Sequence, residues 1–360
     1  MKKSLILLAS SAAFALDIGV VLPLSGSVAA YGNAALNGIK VANAMQPTLK
    51  NGEQINLNIV DTKGDKIEAI TATERVLPKV SAIIGEMITA NTIVVMNTAE
   101  AKKVPVIAPA ATNDKLLKGK NYAARVCFND SFQGEAMAKY LLAQGKKTAI
   151  IVKDQATDYS LGLSKAYKKE FVQGGGEILK ELIITSGDKD FNAISAQIAS
   201  LNPDVVYLPL YYQEAALFVR QAKIAGVKSI IASADGVADE QFIKLAAEYS
   251  NNHLYTDSFD ANVPPTELSK KYLAEYAKAY NGSLPSNFAA MGADAYFVLV
   301  EAANRCEQIT SECINQEIKK TKDYEGVSGI ISIDSTGETK RSLIIKEVVN
   351  ENAVYKDSVK

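Results

Sequence analysis

From residue 17 onward, short apolar runs alternate with stretches of helical period, and this alternation constrains the fold more than any single motif. Residues 17–22, 55–61, 81–85 and 104–108 read as strands. Residues 34–45, 66–77 and 89–102 read as the helices between them, with Asn51-Gly52 and Pro78 as breaks. Strands that return through a helix run parallel and are buried on both faces, so this first series predicts a doubly wound α/β sheet. After residues 122–129 the series starts again. Helices at 132–142, 161–171, 191–200 and 214–225 alternate with strands at 148–152, 177–184, 204–210 and 229–233, which predicts a second such sheet. The last third adds helices at 268–280 and 290–305 and strand material at 331–333, 343–349 and around Val354. The helix from Ala290 to Val300 is strongly apolar, so it is expected to be buried and to pack back onto the first domain rather than build a third.

With 360 residues the chain is long for one core and fits two domains. A net charge of −1, with acids and bases interspersed, gives no electrostatic footprint for nucleic acid. The start has the layout of a secretory signal. A basic Met1-Lys-Lys-Ser4 precedes an apolar stretch, and Ala13-Phe14-Ala15 matches a small-residue cleavage pattern, so residues 1–15 are expected to be removed on export. No later segment offers the ~20 apolar residues of a membrane span. The three cysteines, Cys127, Cys306 and Cys313, match no zinc spacing. Cys306 and Cys313 are near enough to close a small loop in an oxidising compartment; the alternative is two buried thiols, and Cys127 is read as an unpaired core residue.

Enzyme signatures are absent. The single histidine, His253, has no partner named by the sequence, and no nucleophile elbow, P-loop or dinucleotide fingerprint occurs. Gly145-Lys-Lys-Thr148 lacks the upstream glycine of a phosphate loop, and Gly174-Gly-Gly176 follows a helix instead of opening one. No cofactor is called for. What stands out are two strand endings. Val104-Pro-Val-Ile-Ala-Pro-Ala-Ala-Thr112 runs into an exposed backbone with one hydroxyl, and residues 81–85 lead through Glu86-Met87-Ile88 to Thr89. Thr89 reads as the N-cap of a helix whose free N–H groups attract an anion, and ligands of open α/β sheets bind beyond strand carboxyl ends.

The order of Val20-Val-Leu-Pro-Leu-Ser-Gly26, Tyr31-Gly32, Ile83-Ile-Gly85, the run 104–112, Tyr159 and Asp235-Gly236 resembles the periplasmic leucine/isoleucine/valine-binding proteins, the type I solute receptors of ABC importers. The resemblance covers nearly all of the chain after residue 15. It implies two doubly wound parallel-sheet lobes joined by a three-segment hinge, with crossings near 129–130, 255–257 and 337–340. The lobes would be 16–129 plus 257–338 and 130–256 plus 339–360. It further implies a monomer that delivers an amino acid to an inner-membrane permease. On that reading Thr89 and Thr112 hold the ligand carboxylate. The ammonium finds the Ala110 carbonyl, the second lone pair of Thr112 and the carboxylate of Asp235. Asp235 stands where the family commonly has the longer Glu. Tyr31, Tyr159, Tyr211 and Phe288 fall where these proteins place ring contacts, and Met87 and Ile88, which differ from typical members, border the side-chain pocket. A same-fold sensor for another small amino acid or amide, and a secreted α/β enzyme, are the other function classes; tight binding without turnover separates the last.

Overall fold

A computed structural model describes residues 16–359. The signal-peptide expectation, with its cleavage after Ala15, lies outside the described residues. The first series runs β1 (Leu16–Leu22), α1 (Ala29–Met45), β2 (Ile55–Asp61), α2 (Lys66–Val76), β3 (Ala82–Gly85), α3 (Thr89–Glu100), β4 (Val106–Ala108) and β5 (Ala123–Arg125). The second runs α4 (Asp130–Ala143), β6 (Thr148–Asp154), α5 (Asp158–Gln173), β7 (Glu177–Ile184), α6 (Asn192–Leu201), β8 (Val205–Tyr207), α7 (Tyr212–Ile224), β9 (Ile230–Ser233), α8 (Glu240–Ala246) and β10 (His253–Asp257). The rest is α9 (Glu267–Ala279), α10 (Asn287–Asn304), α11 (Ser311–Ile318), β11 (Tyr324–Glu325), β12 (Ile330–Ile333), β13 (Thr339–Lys340), β14 (Leu343–Val349) and β15 (Asn352–Val359). Among the described residues no helix is long and apolar enough to cross a membrane.

The first sheet has the order β2-β1-β3-β4-β5, every pairing parallel. Its strands β3 and β4 are buried along their whole length because helices cover both faces, which is why they read as unbroken apolar runs. The chain reverses its winding between β1 and β3, and the loops that leave the carboxyl ends of β1, β3 and β4 open on that crevice. The second sheet has the order β15-β14-β10-β9-β8-β6-β7. Its five strands β6 to β10 are parallel, and β14 and β15 extend it antiparallel, so it is mixed at one edge rather than wholly parallel.

Helix α10 packs on α1, as its uniform apolarity requires. The two backbones nearly touch: a Cβ on Gly38 would sit 1.9 Å from the Ala289 carbonyl oxygen, and one on Gly292 would sit 2.5 Å from that of Ala35. This close approach sets the first two turns of α10 against the middle of α1. Helix α1 begins at Ala29, five residues before the expected start at 34, and Tyr31 is therefore helical.

The chain passes between the two sheets three times, after β5, after β10 and between β13 and β14. Tyr255–Asp257 belong to β10 and Thr339–Lys340 pair with β12, so the second and third passages lie a few residues beyond the expected 255–257 and 337–340. Arg341, on the third passage, ties the other two: its guanidinium donates to Val126 O at 2.9 Å and to Ser258 O at 3.2 Å. Away from this region, Cys306 and Cys313 form a disulfide with their Cα atoms 6.0 Å apart, joining the end of α10 to α11, and Cys127 is a buried free thiol. His253 is a core residue. Its Nε2 lies 2.9 Å from Ser233 Oγ, and burial pushes its pKa down to about 3, so it stays neutral.

Candidate functional site

A small cavity lies where the two sheets face each other, and Tyr31, Met87, Ile88, Thr89, Ala110, Thr112, Tyr159, Tyr211, Asp235 and Phe288 all line it, with Gly236. The walls stand close together: only about 20 Å3 is open to the centre of a water molecule, so anything larger must part them to enter.

The wall on the first sheet is made by the loops after β3 and β4. Ile88, not Thr89, is the cap residue of α3; Thr89 is the first helical residue and its hydroxyl makes no capping bond. The expected cap is displaced by Glu86, whose carboxylate accepts the N–H groups of Met87 at 2.8 Å and Ile88 at 2.9 Å. The same carboxylate accepts the Thr62 hydroxyl at 2.6 Å and the Asn91 side-chain amide at 3.2 Å. The Met87 and Ile88 amides precede the helix, and the N–H groups of Thr89, Ala90 and Asn91 remain without partners inside it. The hydroxyls of Thr89 and Thr112 are both buried and without a hydrogen bond. After β4, the Ala111 carbonyl accepts from Cys127 and the Thr112 carbonyl from the Asp130 N–H, while the carbonyl of Ala110, which lines the cavity, accepts no hydrogen bond among the described residues.

The wall on the second sheet is tied together. Tyr159, in the first turn of α5, donates its hydroxyl to Asp235 Oδ1 at 3.0 Å and accepts the Gly236 N–H at 2.7 Å. Gln133 Oε1 accepts the Asp235 N–H at 3.1 Å and the Thr256 hydroxyl at 2.7 Å, which fixes the turn after β9 from behind. Tyr211 stacks on Tyr159 with ring centroids 4.9 Å apart. Its neighbour Tyr212 points elsewhere and donates to Ser27 O at 2.9 Å.

Tyr31 joins the walls. Its hydroxyl donates to Gly236 O at 2.5 Å and accepts the Tyr212 N–H at 3.0 Å, while its ring lies 4.6 Å from that of Phe288. The two rings come from the N-terminal parts of α1 and α10.

No Lys or Arg lines the cavity, and of the buried acids Asp235, Asp130 and Glu86 only Asp235 does. Burial raises the carboxyl of Asp235 to about 7 against the opposing hydrogen bonds of Gln133 and Tyr159. Burial also raises Asp130 well above the ordinary carboxylate range; the Thr112 hydroxyl beside it opposes the shift without forming a well-directed bond, and both carboxyl oxygens stay unpaired. Glu86 is raised by burial as well, against its four donors. The sequence reading missed Asp130, Glu86 and Gly236. Asp130 follows Asn129 at the first passage, a segment noted only as a crossing, and Glu86 was passed over between the strand end and Thr89. Among the described residues no group of side chains is arranged to hold a metal ion.

Residues 15–353 match the family model described as periplasmic binding protein. The Leu/Ile/Val-binding protein BraC3 of Rhizobium johnstonii is 28% identical over 333 residues, covering 90% of this chain and 88% of that protein. A crystal structure of the leucine-binding protein LivK from Thermotoga maritima superposes with a TM-score of 0.92 at 35% identity, covering 96% of this chain and 98% of the other. The branched-chain amino-acid transporter binding protein LivJ of Streptococcus pneumoniae, solved with isoleucine, gives a TM-score of 0.90 at 30% identity, covering 96% and 99%.

Proposed function

The chain belongs to the periplasmic binding protein family, and on that premise we propose that it captures a branched-chain amino acid, leucine, isoleucine or valine, in the cavity between its sheets. It is a solute-binding protein of an ABC importer rather than an enzyme, and it works outside the cytoplasm. The observation that carries the ligand reading is the polarity of the cavity: the idle hydroxyls of Thr89 and Thr112 on the first-sheet wall and the buried carboxyl of Asp235 on the second, with apolar side chains and rings between. A zwitterion completes both walls at once. Its carboxylate takes the Thr89 and Thr112 hydroxyls and the first-turn N–H groups of α3, and its ammonium takes Asp235 and the Ala110 carbonyl. Tyr31, Tyr159, Tyr211, Phe288, Met87 and Ile88 enclose an aliphatic side chain. An organic acid without an ammonium would leave buried negative charge unpaired.

The mature protein in this reading starts at Leu16, acts as a monomer, and closes two lobes on the ligand. Its lobes in this reading are residues 16–129 with 258–340 and residues 130–257 with 341–359, a division that the strand pairings support. Calorimetric titration with the proteinogenic amino acids tests the ligand: leucine, isoleucine or valine should bind most tightly without being turned over. Absence of binding by any amino acid would overturn the reading.

A further inference from the structure

The four hydrogen bonds to Glu86 come from the loop after β2 and from the segment that leads into α3. Thr62 lies past the end of β2, Met87 and Ile88 form the loop that borders the cavity, and Asn91 is on the first turn of α3. Glu86 itself is fully buried and does not line the cavity. Cap residues normally spend a hydroxyl on the first N–H groups of a helix. Here the Glu86 carboxylate satisfies the amides on the approach to α3, and the one hydroxyl of that turn, on Thr89, is left unbonded and buried at the cavity wall.

We infer that Glu86 is a positioning residue of the ligand site: its carboxylate holds the Met87–Ile88 backbone so that the Thr89 hydroxyl and the first-turn N–H groups of α3 stay aimed at the carboxylate of the ligand. The inference rests on the amino-acid reading above. The geometry also limits what can replace Glu86. Gln keeps one oxygen for the two backbone N–H groups, and its amide can donate to Thr62 Oγ1 and, once the Asn91 amide turns over, to that side-chain oxygen. Ala leaves both backbone amides without acceptors in a dry pocket, and the loop must move to find them.

The test is calorimetric titration of L-leucine into the wild type, Glu86→Gln, Glu86→Ala, Thr89→Val and the Glu86→Ala/Thr89→Val double variant, with a thermal melt of each apo protein. The expected result is a loss of roughly tenfold or more for Glu86→Ala and for Thr89→Val, and no more than about threefold for Glu86→Gln. The double variant should bind no more than about threefold weaker than the poorer single, because the two residues act on one contact. Losses that multiply in the double variant, a folded Glu86→Ala that binds leucine within about threefold of wild type, or a Glu86→Gln as weak as Glu86→Ala would each overturn the inference. If Glu86→Ala fails to fold, Thr62→Val removes one of the four donors outside the cavity wall; it should weaken leucine about threefold or more while melting near the wild type, and unchanged affinity there overturns the inference. A wild type that binds no amino acid refutes the ligand reading instead, so the two failures are distinguishable.

Discussion

On the first sheet, the cavity wall ends in two hydroxyls that bond to nothing; on the second, it ends in a carboxylate already held by a phenol, with its turn pinned by a glutamine. Both walls grow from the same topology, loops at the carboxyl ends of parallel strands beside a change of winding direction. Their readiness differs. The acidic wall is complete in the absence of ligand and costs the folded state a buried charge, whereas the hydroxyl wall gains its bonds only when an anion arrives. The first is a place where function opposes stability, and the second is a place where it hardly touches stability.

The largest effect that could break this contrast is at Asp235. Asp235→Asn keeps the shape and the acceptor for Tyr159 but removes the charge, and it is expected to weaken the ligand roughly thirtyfold to several thousandfold, the ~2–5 kcal/mol of a desolvated pair. The apo protein should move the other way. Because the folded-state carboxyl is raised from its ordinary value to about 7, the folded state holds its proton longer than the unfolded chain, and stability falls as pH rises from about 4 to about 7. Denaturant melts should therefore find the apo Asn variant more stable than wild type at pH 8, by roughly 1–4 kcal/mol, and little different at pH 4. Equal apo stability at pH 8, or equal affinity, would remove Asp235 from the ammonium site.

The same group gives the site a pH profile. Below about pH 7 the apo carboxyl is protonated, and an ammonium must displace that proton, so affinity should fall by up to ~10-fold per unit as pH drops from 7 toward 5, with protons released on binding. Titration in buffers of different ionisation enthalpy counts those protons. A flat profile that is unchanged in Asp235→Asn would show that the acidic wall is not where the ligand's positive end lies.

The hydroxyl wall should respond with affinity alone. Thr112→Val removes a bond to an ionised group and should cost ~1.5–3 kcal/mol, about ten- to more than a hundredfold in affinity. Since that hydroxyl has no partner in the folded chain, the apo melt should stay within about 0.5 kcal/mol of wild type or rise. A large loss of stability would mean that Thr112 serves Asp130, beside it, rather than the ligand.

How far the sequence reveals each wall follows from the range of the interactions that build it. Thr89 and Thr112 are legible because each ends or follows an apolar strand, a local pattern within a few residues. The winding of both sheets is legible for the same reason, and so is the burial of α10. Direction is not: β14 and β15 read as strand material, but nothing in 343–349 says that they join the second sheet antiparallel. The start of α1 was hidden because Ala29, Ala30 and Gly32 carry no periodic signal, and only the carbonyl of Pro23, 2.0 Å from where a Gly32 Cβ would lie, explains the glycine. Glu86 was invisible because its partners Thr62 and Asn91 come from different elements, and Asp130 because what makes it notable is its burial without partners.

The smallest effect concerns the joint between the walls. Tyr31→Phe keeps the ring against Phe288 and Tyr211 and deletes only the hydroxyl that bonds Gly236 O and the Tyr212 N–H. Both partners belong to the second sheet's loops and Tyr31 to α1, so these bonds exist only while the walls are together. Net bonds of this kind contribute ~0.5–1.5 kcal/mol each, and water replaces part of them once the lobes part, so the expected loss of affinity is about two- to tenfold. It should fall on release. The encounter of ligand with either open wall does not involve this hydroxyl, whereas escape requires breaking it, so stopped-flow binding should show a faster off-rate and an on-rate within about twofold of wild type. Tyr212→Phe, which deletes the bond to Ser27 O across the same joint, should behave alike. If instead the on-rate falls and the off-rate holds, Tyr31 shapes the open pocket, and the comparison of a prepared wall with a waiting one would have to be redrawn without a latch between them.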